Sequence, residues 1–180
     1  MLSDKPFERM TVKDICECSQ TSRMTFYTHY ADKFELADEI FRDMADDASD
    51  YYHELQRENN PSGDSIQSYC NMLDCMLNLY ITHEQFLRHA TPTENPYLNY
   101  AFSRYIRIYV EHRIERESKA LVPKYSYNKI TSFMTGGMWA FIEAGVAEKN
   151  DFAQIRAEVT TLLRELMENE ILTIRSTEKK

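Results

Sequence analysis

The residues best suited to recognition chemistry stand close together near the N-terminus. Ser22 opens a run Arg23-Met24-Thr25-Phe26-Tyr27-Thr28-His29-Tyr30, and Asp32-Lys33 follows it. Serine is a favoured helix N-cap, so Arg23, Met24 and Thr25 fall in the first turn of a short helix. That is the end a groove-reading helix turns toward base edges. A guanidinium at Arg23 suits a guanine edge, and Met24 or Thr25 suits a thymine methyl. Tyr27, His29 and Lys33 carry polar groups of the kind that reach phosphate oxygens. Backbone N–H groups at helix starts near Thr11 and Asp32 suit phosphates as well.

Such side chains need helices to hold them, and the signals for helices are dense. Thr11 followed by Asp14 has the pattern of a capping box, after which Val12, Ile15, Cys16 and Ser19 recur at helical spacing. A polar break, Ser19-Gln20-Thr21, separates this helix from the one opened by Ser22, whose Phe26 and Tyr30 share a face. Two short helices across a tight turn make a helix-turn-helix, with Val12, Ile15, Phe26 and Tyr30 as its small core. Asp32 and Glu35 then open a long helix with Leu36, Ile40 and Met44 on one stripe, running to about Gln56 before the breaker cluster Asn59-Asn60-Pro61-Ser62-Gly63. Five more helices are expected: Asp64 to Tyr80; a short one capped by Thr82 and Gln85; Asn95-Pro96 to about Ser118, with proline at the first helical position; Ser126 to Glu148; and Asp151 to about Ile174. No segment alternates as a strand does. The expectation is an all-α chain, three helices in a head and five in a body.

Composition agrees. Of 180 residues 43% are apolar and only four are glycine, which suits a helical core and not a loop-rich β fold. No apolar run approaches the roughly 18 residues of a membrane span, and the start lacks the layout of a signal peptide. Four cysteines, Cys16, Cys18, Cys70 and Cys75, are then expected to be reduced thiols in a cytoplasm. A net charge of −8 argues against coating nucleic acid without regard to sequence. The excess is concentrated in residues 36–60, where eight acidic and two basic side chains leave −6. Residues 1–35 are nearly balanced, so the head can still approach a phosphate backbone.

The run Met10-Thr11-Val12-Lys13-Asp14-Ile15, then Ser22 to Tyr30, then Asp32-Lys33-Phe34-Glu35-Leu36, resembles the DNA-binding domain of the TetR/AcrR family. The resemblance covers about 27 residues and implies DNA contacts from Thr11, Lys13, Tyr27, His29 and Lys33. With the recognition helix start, Ser22, Arg23, Met24 and Thr25, these make the expected DNA site. It further implies a head at 1–45, an effector-binding and dimerisation body at 46–180, and a long helix joining them. Two departures stand out. Gln20 occupies the turn position that is usually glycine, where a left-handed backbone is dearer for a side chain. Only Met1 to Lys5 precedes Pro6, where the family has a further helix, so the head is expected to be truncated or partly exposed and mobile.

The body offers two more expectations. Tyr69, Met72, Met76, Tyr80, Tyr105 and Tyr109, with Phe41 and Met44 of the long helix and Trp139, suit a pocket for a hydrophobic or aromatic effector. Ile155, Val159, Leu162 and Leu166 on the last helix, against Met134, Met138 and Phe141 on the one before, could form a four-helix homodimer interface. Gly136-Gly137 inside a helix is expected to admit a close neighbour, because glycine there costs about 1 kcal/mol relative to alanine. No metal-ligand spacing, phosphate loop or nucleophile motif is present, so neither a cofactor nor an enzyme is expected. The function implied is a ligand-responsive transcriptional regulator, by family habit a repressor, which binds a palindromic double-stranded operator as a homodimer and is released by an effector. The alternatives are a TetR-like protein that has lost operator binding and acts through a protein partner, and a helical small-molecule carrier or sensor.

Overall fold

A computed structural model describes residues 1–117, 121–123, 126–168 and 174–176. A 3-10 turn at Phe7–Arg9 precedes eight α-helices: α1 Val12–Ser19, α2 Arg23–His29, α3 Lys33–Asn59, α4 Ser65–Thr82, α5 Glu84–Leu87, α6 Pro96–Glu117, α7 Tyr127–Ala147 and α8 Phe152–Glu168. The fold class is all-α, as the capping and periodicity signals imply. One point differs from expectation. Among the described residues the last helix spans Phe152–Glu168, and Ile174–Ser176 forms a short strand, β2, antiparallel to β1 at Leu121–Pro123. In their register Leu121 faces Ser176 and Pro123 faces Ile174. Three-residue strands are too short to leave an alternating pattern, so only the pairing reveals them.

The chain divides into two compact units, and the division falls inside α3. One unit holds residues 1–47 and 82–106; the other holds 48–81 and 107–180. The segment 82–106, expected in the body, therefore packs with the helix-turn-helix.

In the first unit Phe41 is buried at the centre, with the rings of Phe86, Phe102 and Tyr105 at 5.7, 5.8 and 6.2 Å. In the second, the buried stripes of α7 (Met134, Met138, Ile142) and α8 (Ile155, Val159, Leu163) form the core. The close approach sits at a glycine the sequence did not single out. A Cβ on Gly145 would lie 2.6 Å from Cγ1 of Ile155, whereas Gly136 and Gly137 have nothing within 4 Å of theirs. Among the described residues no neighbouring helix makes the close approach expected at Gly136-Gly137. Asn60 ties the α3–α4 turn: its amide donates to Gln56 Oε1, Asp64 O and Ser68 Oγ at 2.7–2.9 Å.

Candidate nucleic-acid interface

The helix-turn-helix is built by local polar chemistry. Thr11 and Asp14 form the capping box in both directions, with Asp14 N to Thr11 Oγ1 at 3.2 Å and Thr11 N to Asp14 Oδ2 at 2.7 Å. Lys5 Nζ lies 2.6 Å from the same carboxylate oxygen. The Lys5 hydrogen bond first, then those from Thr11, hold the Asp14 carboxyl well below its usual range. α1 ends with Gln20 in the left-handed region, φ 55°, ψ 32°. The turn that commonly uses glycine is therefore made here by glutamine, and the N–H groups of Gln20 and Thr21 both close on Cys16 O. Ser22 then caps α2 through Thr25 N at 3.0 Å.

α2 buries Phe26 and turns the opposite side outward. Arg23 and Thr25 are exposed, Met24 is 82% exposed and Tyr27 57%. Apolar surface left this open on a two-turn helix is costly to leave in water, and it is the arrangement a groove-filling helix requires. Ser22, Thr11 and His29 are also exposed at the rim, and Lys13 reaches Glu17 at 3.5 Å along α1. Tyr30 is half-buried against Phe26, its hydroxyl pushed up by burial and then by Glu39.

Lys33 departs from expectation. Its ammonium donates to three carbonyl oxygens, Phe7 at 2.7 Å, Glu8 at 2.9 Å and Met10 at 2.8 Å. It also sits 4.8 Å from the Phe7 ring centre and 5.1 Å from that of Phe34. An ammonium has three protons, and all three are committed. Its pKa is lowered, chiefly by desolvation. In this geometry Lys33 fastens the segment ahead of α1 rather than reaching outward as a phosphate contact would.

That segment is fastened at its other side too. Phe7 N donates to Asn95 Oδ1 at 2.5 Å, and Tyr97 N at the start of α6 donates to Glu8 Oε1 at 3.1 Å. The Phe7 ring stacks on Tyr97 at 5.6 Å, and Phe34 meets Tyr97 edge-on at 4.7 Å. Asn95 side-chain bonds run to Phe7 N and His89 O, so Glu8, not Asn95, supplies the acceptor at the start of α6. Phe7 and Met10 are buried, while Met1, Ser3, Asp4 and Pro6 are exposed. No sequence pattern links positions 7 and 95, so only the folded chain reveals this clasp.

With this geometry in hand, comparison with solved structures is informative. The chain is similar to a crystal structure from Syntrophomonas wolfei of a chain assigned to the TetR family of transcriptional regulators, with a TM-score of 0.67, 12% identity, and 89% of this chain and 85% of that chain covered. The fold is TetR-like. No family model and no curated protein matches the sequence. Among the described residues no helix is long and apolar enough to cross a membrane.

The remaining candidate residues fall in separate places. Phe41, Met44 and Tyr105 belong to the first unit, and Tyr69, Met72, Met76, Tyr80 and Trp139 to the second, where Tyr80 meets Trp139 at 5.9 Å. The side chain of Tyr109 lies outside the described residues. Of the expected dimer stripe, Met134, Met138, Ile155 and Val159 are buried inside the chain, and Phe141 and Leu166 are half-buried. Only Leu162, 41% exposed, faces outward with Phe133, 60% exposed, on α7. Stripes that read as interface serve first as the monomer's own core, because period alone cannot say which neighbour covers a face.

Proposed function

We propose that this chain is a DNA-binding transcriptional regulator of the TetR type, acting as a homodimer. The observation that supports it best is α2, whose Arg23, Met24 and Tyr27 project from a capped helix-turn-helix with Phe26 anchored beneath. Arg23 is the base reader; Thr11, Lys13, Ser22, Thr25, Tyr27 and His29 position the head on the backbone. Mobility-shift assays against the DNA upstream of its own gene test this. Arg23→Ala should cost about 1–3 kcal/mol at the preferred site and relax preference at one base pair. No specific binding by the full chain at low salt would overturn the proposal.

A palindromic site needs two recognition helices roughly 34–36 Å apart, hence two copies. The outward side of α7, with Phe133, Gly136, Gly137 and Ala140, and Leu162 of α8 are the apolar surface we assign to that contact. Replacing both Phe133 and Leu162 by Glu would set charges in the contact, and sedimentation should show monomers that keep their helicity. A persisting dimer would place the contact elsewhere. We assign the effector, a hydrophobic or aromatic molecule, to Tyr69, Met72, Met76 and Tyr80 of the second unit, and repression lifted by it is the expected sign. Such a compound should lower operator affinity by the factor by which operator lowers its own. A second reading, action through a protein partner, is favoured by the exposed acids Asp46, Asp47, Asp50 and Glu54 along α3; a basic partner bound with no operator binding would establish it.

A further inference from the structure

We propose that the segment Pro6–Met10 is a coupling strap between the start of α6 and the helix-turn-helix, with Lys33 and Asn95 as its two positioning residues. The inference rests on the regulator reading and names the route by which such a protein would be controlled. Three features carry it. The strap is held from both sides by exchanged bonds: Asn95 takes the Phe7 N–H, and Glu8 takes the Tyr97 N–H. Those contacts span 88 and 89 residues of sequence, so they report tertiary placement and not local folding. On the head side Lys33, the first residue of α3, closes the carbonyls of Phe7, Glu8 and Met10, the last of which directly precedes the Thr11 cap of α1.

A shift of the start of α6 therefore draws on the strap, and the strap ends on the cap that begins the helix-turn-helix. The Phe7, Phe34 and Tyr97 rings pack on one another beside these bonds, of which Phe7 N to Asn95 Oδ1 is buried and Tyr97 N to Glu8 Oε1 is exposed. A compact ammonium turns its three donors to fit three converging carbonyls, whereas a guanidinium presents its donors in a fixed planar fork on a longer stem, a poorer match to this site. Differential binding of an effector to the strapped and unstrapped states is what would shift the equilibrium.

Hydrogen exchange on the full chain tests the strap without DNA. Lys33→Met should speed exchange at the Tyr97 amide, which Lys33 does not touch, by about ten- to a hundredfold, the range expected when charge-assisted bonds are lost. Glu8→Ala, at an exposed side chain, should speed exchange at the Met10 amide in the same direction. An unchanged Tyr97 amide in Lys33→Met, with the protein folded, overturns the proposal. If that variant does not fold, Glu8→Ala with an unchanged Met10 amide overturns it equally.

Operator binding across a salt series supplies the second arm. Lys33→Met should lower affinity about tenfold or more with the salt slope unchanged, and Lys33→Arg should not restore it. Rescue by Lys33→Arg, with a slope that drops by about one unit in Lys33→Met, would make Lys33 a phosphate contact and sink the strap. A wild-type chain that binds no operator would defeat the regulator reading alone, since the exchange results decide the strap by themselves.

Discussion

The helix-turn-helix and the α7–α8 layer are held by different means. Around the helix-turn-helix directional polar ties stand beside the Phe7, Phe34 and Tyr97 rings: the Lys33 ammonium on three carbonyls, Asn95 and Glu8 on one amide each, Lys5 on Asp14. Between α7 and α8 the ties are apolar and continuous, from Met134 and Met138 through Ile142 to Ile155 and Val159, and the closest approach is made possible by Gly145. Short-range directional bonds let single groups release a small element. Close-packed apolar layers resist local release and respond to volume. The first construction suits a region that repositions, and the second suits one that holds two helices in fixed relation.

The largest expected effect tests the packed side. Ile142 is fully buried, so Ile142→Ala should cost about 2–5 kcal/mol in urea unfolding, with the midpoint lowered for the whole chain. A loss under 1 kcal/mol would mean that the α7–α8 layer is not the close-packed core described. A smaller effect separates the glycines. Gly145→Ala should destabilise by about 1–3 kcal/mol through contact with Ile155. Gly136→Ala should instead stabilise the isolated monomer by about 1 kcal/mol, because its Cβ meets open space and alanine favours helix. If Gly136→Ala stabilises the monomer yet weakens the dimer, the outward face of α7 is the contact between copies.

The smallest effect tests the polar side by pH. The Asp14 carboxyl titrates below its ordinary value of 3.8, so its contribution to stability is fully present above that pH and is lost as pH falls below it. Asp14→Asn should therefore be less stable than the parent chain at neutral pH, and the gap should close below about pH 3.8 in thermal melts. The carboxylate is at the surface, so the gap should also shrink with salt. A gap that persists unchanged at pH 2 would mean that the cap hydrogen bonds, and not the charge, carry the effect.

What the sequence determined by itself was set by groups a few residues apart. Thr11 with Asp14, Ser22 with Thr25 and Asp151 with Gln154 announce helix starts because the side chain and the backbone N–H it caps are three positions apart, and all three bonds are present. Apolar periodicity likewise marks the buried faces of α7 and α8, and the run through Arg23 and Tyr27 marks the exposed side of α2. Tertiary structure alone decided which surface each face meets. It gave Met134 and Val159 to the monomer core, placed 82–106 with the head, put the close approach at Gly145, and paired β1 with β2. It also turned Lys33 inward, since three carbonyls on a segment more than twenty residues away offered its protons better-fixed acceptors than water. A helix cap is a property of neighbours along the chain, whereas a partner 88 residues distant exists only once the chain has folded.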